Sequence, residues 1–115
     1  MGLFTTNKKI LDYYFVNSNK EIDKLVRKGE LYPMYLIPPT FNGEDFLNNK
    51  VYVPYQILKI KDKYDSKAYK LLKKGKVNGY ICNPEYKGNS FVPSKLHIEV
   101  NKDGKIIYHK KINIW

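Results

Sequence analysis

The clearest pattern of apolar and polar positions lies between Pro54 and Lys74. Six apolar residues recur there at helical spacing and fall within about 120° of one another at about 100° per residue: Ile57, Ile60, Tyr64, Ala68, Leu71 and Leu72. Proline suits the first turn of a helix, and Gly75 suits its end. The pattern therefore predicts one long amphipathic helix whose apolar face packs on the rest of the protein.

The same helix carries a second pattern, which we call the lysine stripe. Five lysines fall within about 80° of one another beside the apolar face: Lys59, Lys63, Lys67, Lys70 and Lys74. Asp62 and Asp65 lie off this stripe. Lysines at i,i+4 spacing repel one another slightly, and an anionic partner would relieve that repulsion. A solvated face in a lysine-rich chain would also look like this, so the pattern alone does not establish a binding surface.

A short helix is predicted near the N-terminus. The run Ser18-Asn19-Lys20-Glu21 forms a capping box, Ile22, Leu25 and Val26 mark an apolar face, and Gly29 ends the helix. Residues 8 to 16 are so uniformly apolar and aromatic that periodicity does not distinguish strand from helix.

Five segments read as strands. Residues 31 to 37, with Pro33 favouring an edge, and residues 51 to 53 are short, whereas residues 77 to 86, 91 to 100 and 105 to 115 look like an antiparallel meander. A three-residue loop with a bulged glycine at Asn101–Lys105 would set Val100 opposite Ile106 and Ile98 opposite Tyr108.

Together these elements predict a single α+β domain over residues 1–115, in which a small antiparallel sheet with a C-terminal meander packs against the long helix. The short strands would extend that sheet, and the element order is α-β-β-α-β-β-β.

Charge adds a preference for anionic partners. The net charge is +10 and the isoelectric point is about 9.6, which favours attraction to nucleic acid or an acidic protein. Arg27 is the only arginine, although arginine is the better side chain for reading bases and phosphates. Lys, Asn, Ile and Tyr are abundant and share A/T-rich codons, so part of the charge reflects codon usage. Nucleic acid remains a possible partner, ranked below an acidic protein surface.

The cysteine count and hydropathy point to a cytoplasmic protein without cofactors. Cys82 is the only cysteine, which excludes an intrachain disulfide and a multi-cysteine metal site, and its position favours a role in the core. A reducing compartment is expected. No stretch has the length and apolar character of a membrane span or signal peptide, so no membrane association is expected.

Two histidines offer the best candidate for catalysis. The predicted register places His97 directly opposite His109, with Lys111 near Lys95 and Glu99 one step along. Such a pair could remove and donate protons in metal-independent ribonuclease chemistry, with lysine stabilising the developing charge. The alternative is that these residues only keep the outer face of a hairpin soluble, and we favour that alternative. A metal site with Glu99 as third ligand is less favoured still.

Aromatic residues in irregular stretches are candidate contacts. Residues 38 to 49 and 83 to 94 are the most promising binding loops, and Tyr86 and Phe91 frame a turn in the second. No nucleophile elbow, phosphate loop or zinc-protease motif is present. The sequence therefore ranks a non-enzymatic interaction module first, an inhibitor, immunity-type or adaptor protein that binds an acidic surface. A nucleic-acid-binding domain and a ribonuclease follow it.

Overall fold

The α+β architecture is confirmed by a computed structural model that describes residues 12–115. Two helices, α1 (Asn19–Arg27) and α2 (Tyr55–Lys73), alternate with five strands in the predicted order. The strands are β1 (Tyr32–Tyr35), β2 (Lys50–Val53), β3 (Gly79–Glu85), β4 (Lys95–Lys102) and β5 (Lys105–Asn113), and short 3-10 turns occupy Pro39–Phe41 and Leu47–Asn49. The ambiguous segment over residues 8 to 16 lies outside the described residues up to Leu11, and from Asp12 to Val16 it is neither helix nor strand.

Helix α1 begins and ends at the predicted residues. The Ser18 hydroxyl accepts a hydrogen bond of 3.2 Å from the Glu21 N–H, which satisfies one of the free donors of the first turn. Gly29 follows the helix with a φ of 75°, in the left-handed region that glycine adopts most easily. Ile22 and Leu25 are buried in a small cluster with Tyr13, Val16 and other residues. The helix thereby anchors the N-terminal segment to the body of the protein.

The strands form two sheets, whereas one sheet was predicted. β1 pairs antiparallel with β2 in a two-stranded sheet, and β3, β4 and β5 form a separate three-stranded meander. Pro33 lies within β1, opposite Tyr52. β2 leads through Pro54 directly into α2, so the short sheet is attached to the start of the long helix. The prediction that residues 31 to 37 and 51 to 53 extend the meander is therefore wrong.

Strand β4 is shorter than predicted at its start. It begins at Lys95, not at Phe91. The Phe91 N–H donates to the Val16 carbonyl at 2.7 Å, and Pro93 has no N–H to offer a ladder. Phe91 therefore contacts the N-terminal segment, and hydrogen bonding to β3 begins only at Ser94, whose N–H donates to the Glu85 carbonyl at 2.6 Å.

The hairpin between β4 and β5 differs from the predicted one. Asp103 and Gly104 both have positive φ, at 50° and 86°, which defines a two-residue type I′ turn between Lys102 and Lys105. A bulge near Ile107 then shifts the register, so Val100 lies opposite Tyr108 and Ile98 opposite Lys110. The predicted pairs of Val100 with Ile106 and of Ile98 with Tyr108 are wrong, although Val100, Ile98 and Leu96 still face the core.

A side chain from outside the hairpin holds this turn. The Asn78 amide nitrogen donates to the Asp103 carboxylate at 2.7 Å, and the Asp103 N–H donates to the Asn78 side-chain oxygen at 2.9 Å. These two bonds fix Asp103 in its left-handed conformation. Local turn propensity alone does not include such a contribution, which explains the error in the predicted loop.

Helix α2 packs on the inner face of the meander with a face rotated from the predicted one. Ile57 and Ala68 are buried as expected, and Tyr64, Leu71 and Leu72 are partly buried against the same core. Ile60, which was assigned to the apolar face, is 38% exposed, whereas Lys61 is only 2% exposed. The buried face of the helix therefore includes Lys61, and it does not include Ile60 as predicted.

The burial of Lys61 is balanced by a polar network that joins α2 to β3. The Lys61 ammonium donates to an Asp65 carboxylate oxygen at 2.7 Å and to the Tyr80 hydroxyl at 3.1 Å. The Tyr80 hydroxyl in turn donates to the other carboxylate oxygen of Asp65. Burial, followed by the Asp65 carboxylate, raises the pKa of Tyr80 far above its usual range, so the phenol keeps its proton.

Cys82, buried as predicted, has its thiol pKa raised by burial to about 11 and is therefore not a reactive thiolate.

Removing Asp65 should destabilise the fold strongly. The Asp65→Ala substitution leaves a buried ammonium without its counter-charge, and we expect the free energy of unfolding to fall by about 3–5 kcal/mol. Urea denaturation measures this. Asp62→Ala is the matched control, because Asp62 is exposed on the same helix and its loss should change stability by less than about 0.5 kcal/mol. Equal effects of the two substitutions would contradict the structural role of the network.

Candidate functional site

The lysine stripe lies on the solvent side of α2. All five of its residues, Lys59, Lys63, Lys67, Lys70 and Lys74, are exposed. The last four line a groove of about 550 Å³ together with Ser66 and Leu71. Four of the five stripe lysines therefore line one open groove, in which Leu71 is the apolar residue.

Among the described residues, no acidic side chain pairs with the lysines of the stripe. Within residues 12–115, no carboxylate lies within 4 Å of a stripe ammonium, and the three ion pairs found there use other lysines or a histidine. Lys59 instead lies 5.2 Å from the centre of the Tyr55 ring, and Lys67 lies 5.0 Å from that of Tyr108. Aromatic faces attract cations without cancelling their charge. The positive potential of the stripe thus remains available to a partner.

The two loops predicted to carry contacts meet in one groove. Leu47 from the first loop and Tyr86, Ser90 and Phe91 from the second line a cavity of about 440 Å³, which Ile22 and Tyr52 complete together with Asn19, Lys50 and Val51. We call this the loop groove. Leu47 is 89% exposed, Tyr86 45% and Phe91 44%. Such a cluster of apolar side chains at the surface is typical of a protein-binding site.

The first loop is held by a side chain that sequence reasoning missed. Asn49 accepts from the Ile37 N–H at 2.8 Å and donates to the carbonyls of Ile37 and Glu44 at 2.9 and 3.0 Å. Gly43 lies so close to the Ile37 carbonyl that an added Cβ would be 1.8 Å from its oxygen. These contacts close the loop into a compact turn and place Leu47 at its rim. An asparagine in a loop has no local signal that would identify this role.

The second loop is held through its own polar contacts. The buried Ser90 hydroxyl donates to the Tyr13 carbonyl at 2.8 Å and accepts from the Val92 N–H at 3.1 Å. The Trp115 indole donates to the Val92 carbonyl at 3.1 Å. Both ends of the described chain therefore support the segment that presents Tyr86 and Phe91, which limits the entropy lost when a partner binds.

The histidine pair does not have the predicted arrangement. His97 lies opposite Lys111 and His109 lies opposite Glu99, because the shorter turn and the bulge each shift β5 by one residue from the predicted register. The prediction that His97 faces His109 directly is wrong. His97 Nε2 lies 2.5 Å from a Glu85 carboxylate oxygen instead. The two imidazoles share the outer face of the meander, in diagonal positions.

Metal-binding clusters and membrane-spanning helices were also sought among the described residues. Among residues 12–115, no three His, Cys, Asp or Glu side chains come together in a way that could hold a metal ion. None of the helices between Asp12 and Trp115 is long and apolar enough to cross a membrane. In comparisons with known proteins, the chain matches no protein-family profile, no curated protein and no solved structure.

The pair of Glu85 and His97 should make stability depend on pH in acid. The hydrogen bond from His97, with smaller effects of nearby lysines, holds the pKa of Glu85 below its usual range. A lowered pKa in the folded state stabilises the fold above the ordinary glutamate pKa, and this contribution disappears as pH falls through the folded-state value. We therefore expect wild type to be more stable than Glu85→Gln near neutrality, with the difference vanishing in acid.

Urea denaturation of both proteins across a series of pH values measures this difference. Glu44→Gln, in an exposed loop position, is the control and should preserve the wild-type pH profile. A difference between wild type and Glu85→Gln that stays constant down to strong acid would contradict the assignment.

Proposed function

We propose that this protein is a small non-enzymatic interaction module that binds an acidic protein surface in the cytoplasm, as an inhibitor, immunity-type or adaptor protein does. The lysine stripe supplies charge complementarity, which accelerates encounter with an acidic partner and disfavours basic ones. The loop groove supplies apolar area, which gives most of the affinity in protein interfaces.

The exposed loop groove is the single observation that carries the choice of protein over nucleic acid. Leu47 projects almost fully into solvent beside Tyr86 and Phe91. Aromatic rings alone would also suit stacked bases, but an exposed aliphatic side chain offers a nucleic acid little. Together with the single arginine in the chain, this makes a protein partner the better match.

Capture from cytosolic extract with purified wild-type protein at low salt tests this proposal. We expect one protein partner in stoichiometric amount, retained after nuclease treatment. The double substitution Lys63→Glu with Lys70→Glu should weaken its binding at least about tenfold by reversing the stripe's charge. Leu47→Asp should weaken binding comparably by placing a charge in the loop groove.

The matched control is the double substitution Lys102→Glu with Lys105→Glu, which changes net charge equally at the exposed β4–β5 turn. It should leave binding largely intact. A retained partner that nuclease removes, or equal losses in the stripe and turn variants, would contradict a specific acidic protein partner.

A further inference from the structure

A third groove runs along the free edge of β1. It has a volume of about 490 Å³, and its lining includes Pro33, Met34 and Tyr35 of the strand on one side and Tyr55 and Leu58 of α2 on the other. Consecutive side chains of a strand point to opposite faces. The lining touches three consecutive residues of β1 and includes no residue of β2, which favours a position along the edge of β1 that faces away from β2.

The backbone of β1 has unused hydrogen-bonding groups at that edge. The Leu36 N–H donates to the Asn49 carbonyl at 2.9 Å, so alternate residues from Leu36 backwards direct their backbone groups to β2. Tyr35 has the opposite phase, and its N–H and carbonyl point away from β2. Within residues 12–115 neither group has a hydrogen-bond partner outside the ladder. Pro33, with no N–H, confines any added pairing to a short stretch around Tyr35.

The opposite wall contains a buried donor that is only partly used. An ammonium group has three N–H donors, and Asp65 and Tyr80 accept two of those of Lys61. Lys61 also belongs to the lining of this groove. A carbonyl oxygen of a bound chain could accept the third donor, which would complete the hydrogen bonding of a buried charged group.

Charge at the rim connects the groove with the lysine stripe. Lys59, the first residue of the stripe, is exposed and lines the groove. Asp65 is neutralised by Lys61, which leaves Lys59 and Asp62 as the charges open to a ligand. The charged residues that line the stripe groove are all lysines, so a ligand that continues from Lys59 onto the stripe should carry acidic side chains there.

We propose that this groove receives an extended acidic segment of the partner, which adds a short strand to the edge of β1. This inference rests on the proposed function and specifies how the partner is held. The segment pairs its backbone with Tyr35, places an apolar side chain between Tyr55 and Leu58, and brings a carboxylate to Lys59. In strand addition of this kind, main-chain hydrogen bonds provide affinity and the contacts of alternate side chains provide specificity.

A capped peptide of alternating glutamate and valine is the probe for this site. Backbone amide NMR of the full chain should show that the peptide slows hydrogen exchange of the Tyr35 amide and shifts the resonances of Leu58 and Lys61. The same peptide with N-methylated valines keeps its charge but loses backbone donors, and it should bind at least about tenfold more weakly. Tyr35→Pro, which removes the strand's free N–H at a position not bonded to β2, should weaken binding of the unmethylated peptide similarly.

The outcomes distinguish this inference from the proposed function. Equal binding of both peptides, with shifts confined to the lysine stripe and unchanged exchange at Tyr35, would overturn strand addition while leaving an acidic partner in place. Absence of binding by the alternating peptide would also overturn it, whereas the proposed function is judged separately by capture of the protein partner. Because the methylated peptide tests the wild-type chain, the result does not depend on whether Tyr35→Pro folds.

Discussion

The buried network of Lys61, Asp65 and Tyr80 determines how the long helix sits on the rest of the protein. Lys61 is only 2% exposed, and a buried ammonium group is tolerated only where a counter-charge and hydrogen-bond acceptors meet it. Asp65 comes from the same helix, but Tyr80 comes from β3, so the network can close only when α2 has one rotation against the meander. That rotation turns Ile60 outward and keeps the lysine stripe in solvent.

The apolar spacing correctly predicted the long helix, but it did not predict that Lys61 faces the core while Ile60 faces solvent. Lys61 lies inside the apolar arc, between Ala68 and Leu72 at about 100° per residue, and Asp65 follows it by four residues. That pairing of a core-facing lysine with an acid one turn later was a usable signal for a buried ion pair. Lysine is almost never fully buried without a partner, so Lys61 was not expected in the core. Its second partner, Tyr80, is distant in sequence and gives no local signal.

Long-range contacts also explain why the β4–β5 turn was predicted wrongly and why the sequence did not show that the two loops converge. The turn at Asp103 and Gly104 is compatible with either of two loop lengths, and the bonds from Asn78 favour the shorter one. Composition marked residues 38 to 49 and 83 to 94 as irregular, but the second range is irregular only from Tyr86 onwards because residues 83–85 belong to β3. Their convergence on one groove depends on Asn49 and Ser90, whose partners lie in other parts of the chain. Local patterns therefore predicted the elements, whereas the candidate site required tertiary structure.

Repulsion within the lysine stripe is much weaker than the interactions of the buried Lys61–Asp65 pair. Repulsion between i,i+4 lysines costs about 0.2–0.5 kcal/mol per pair, far less than the several kcal/mol at stake in the buried pair of Lys61 and Asp65. The helix therefore tolerates the stripe without a partner, and relief of repulsion gives little affinity. Because Asp65 is paired with Lys61, it does not neutralise the lysine stripe, whose charge could steer the acidic partner that we propose. Tight binding of that partner would have to come from apolar and main-chain contacts, which the loop groove and the groove along β1 offer.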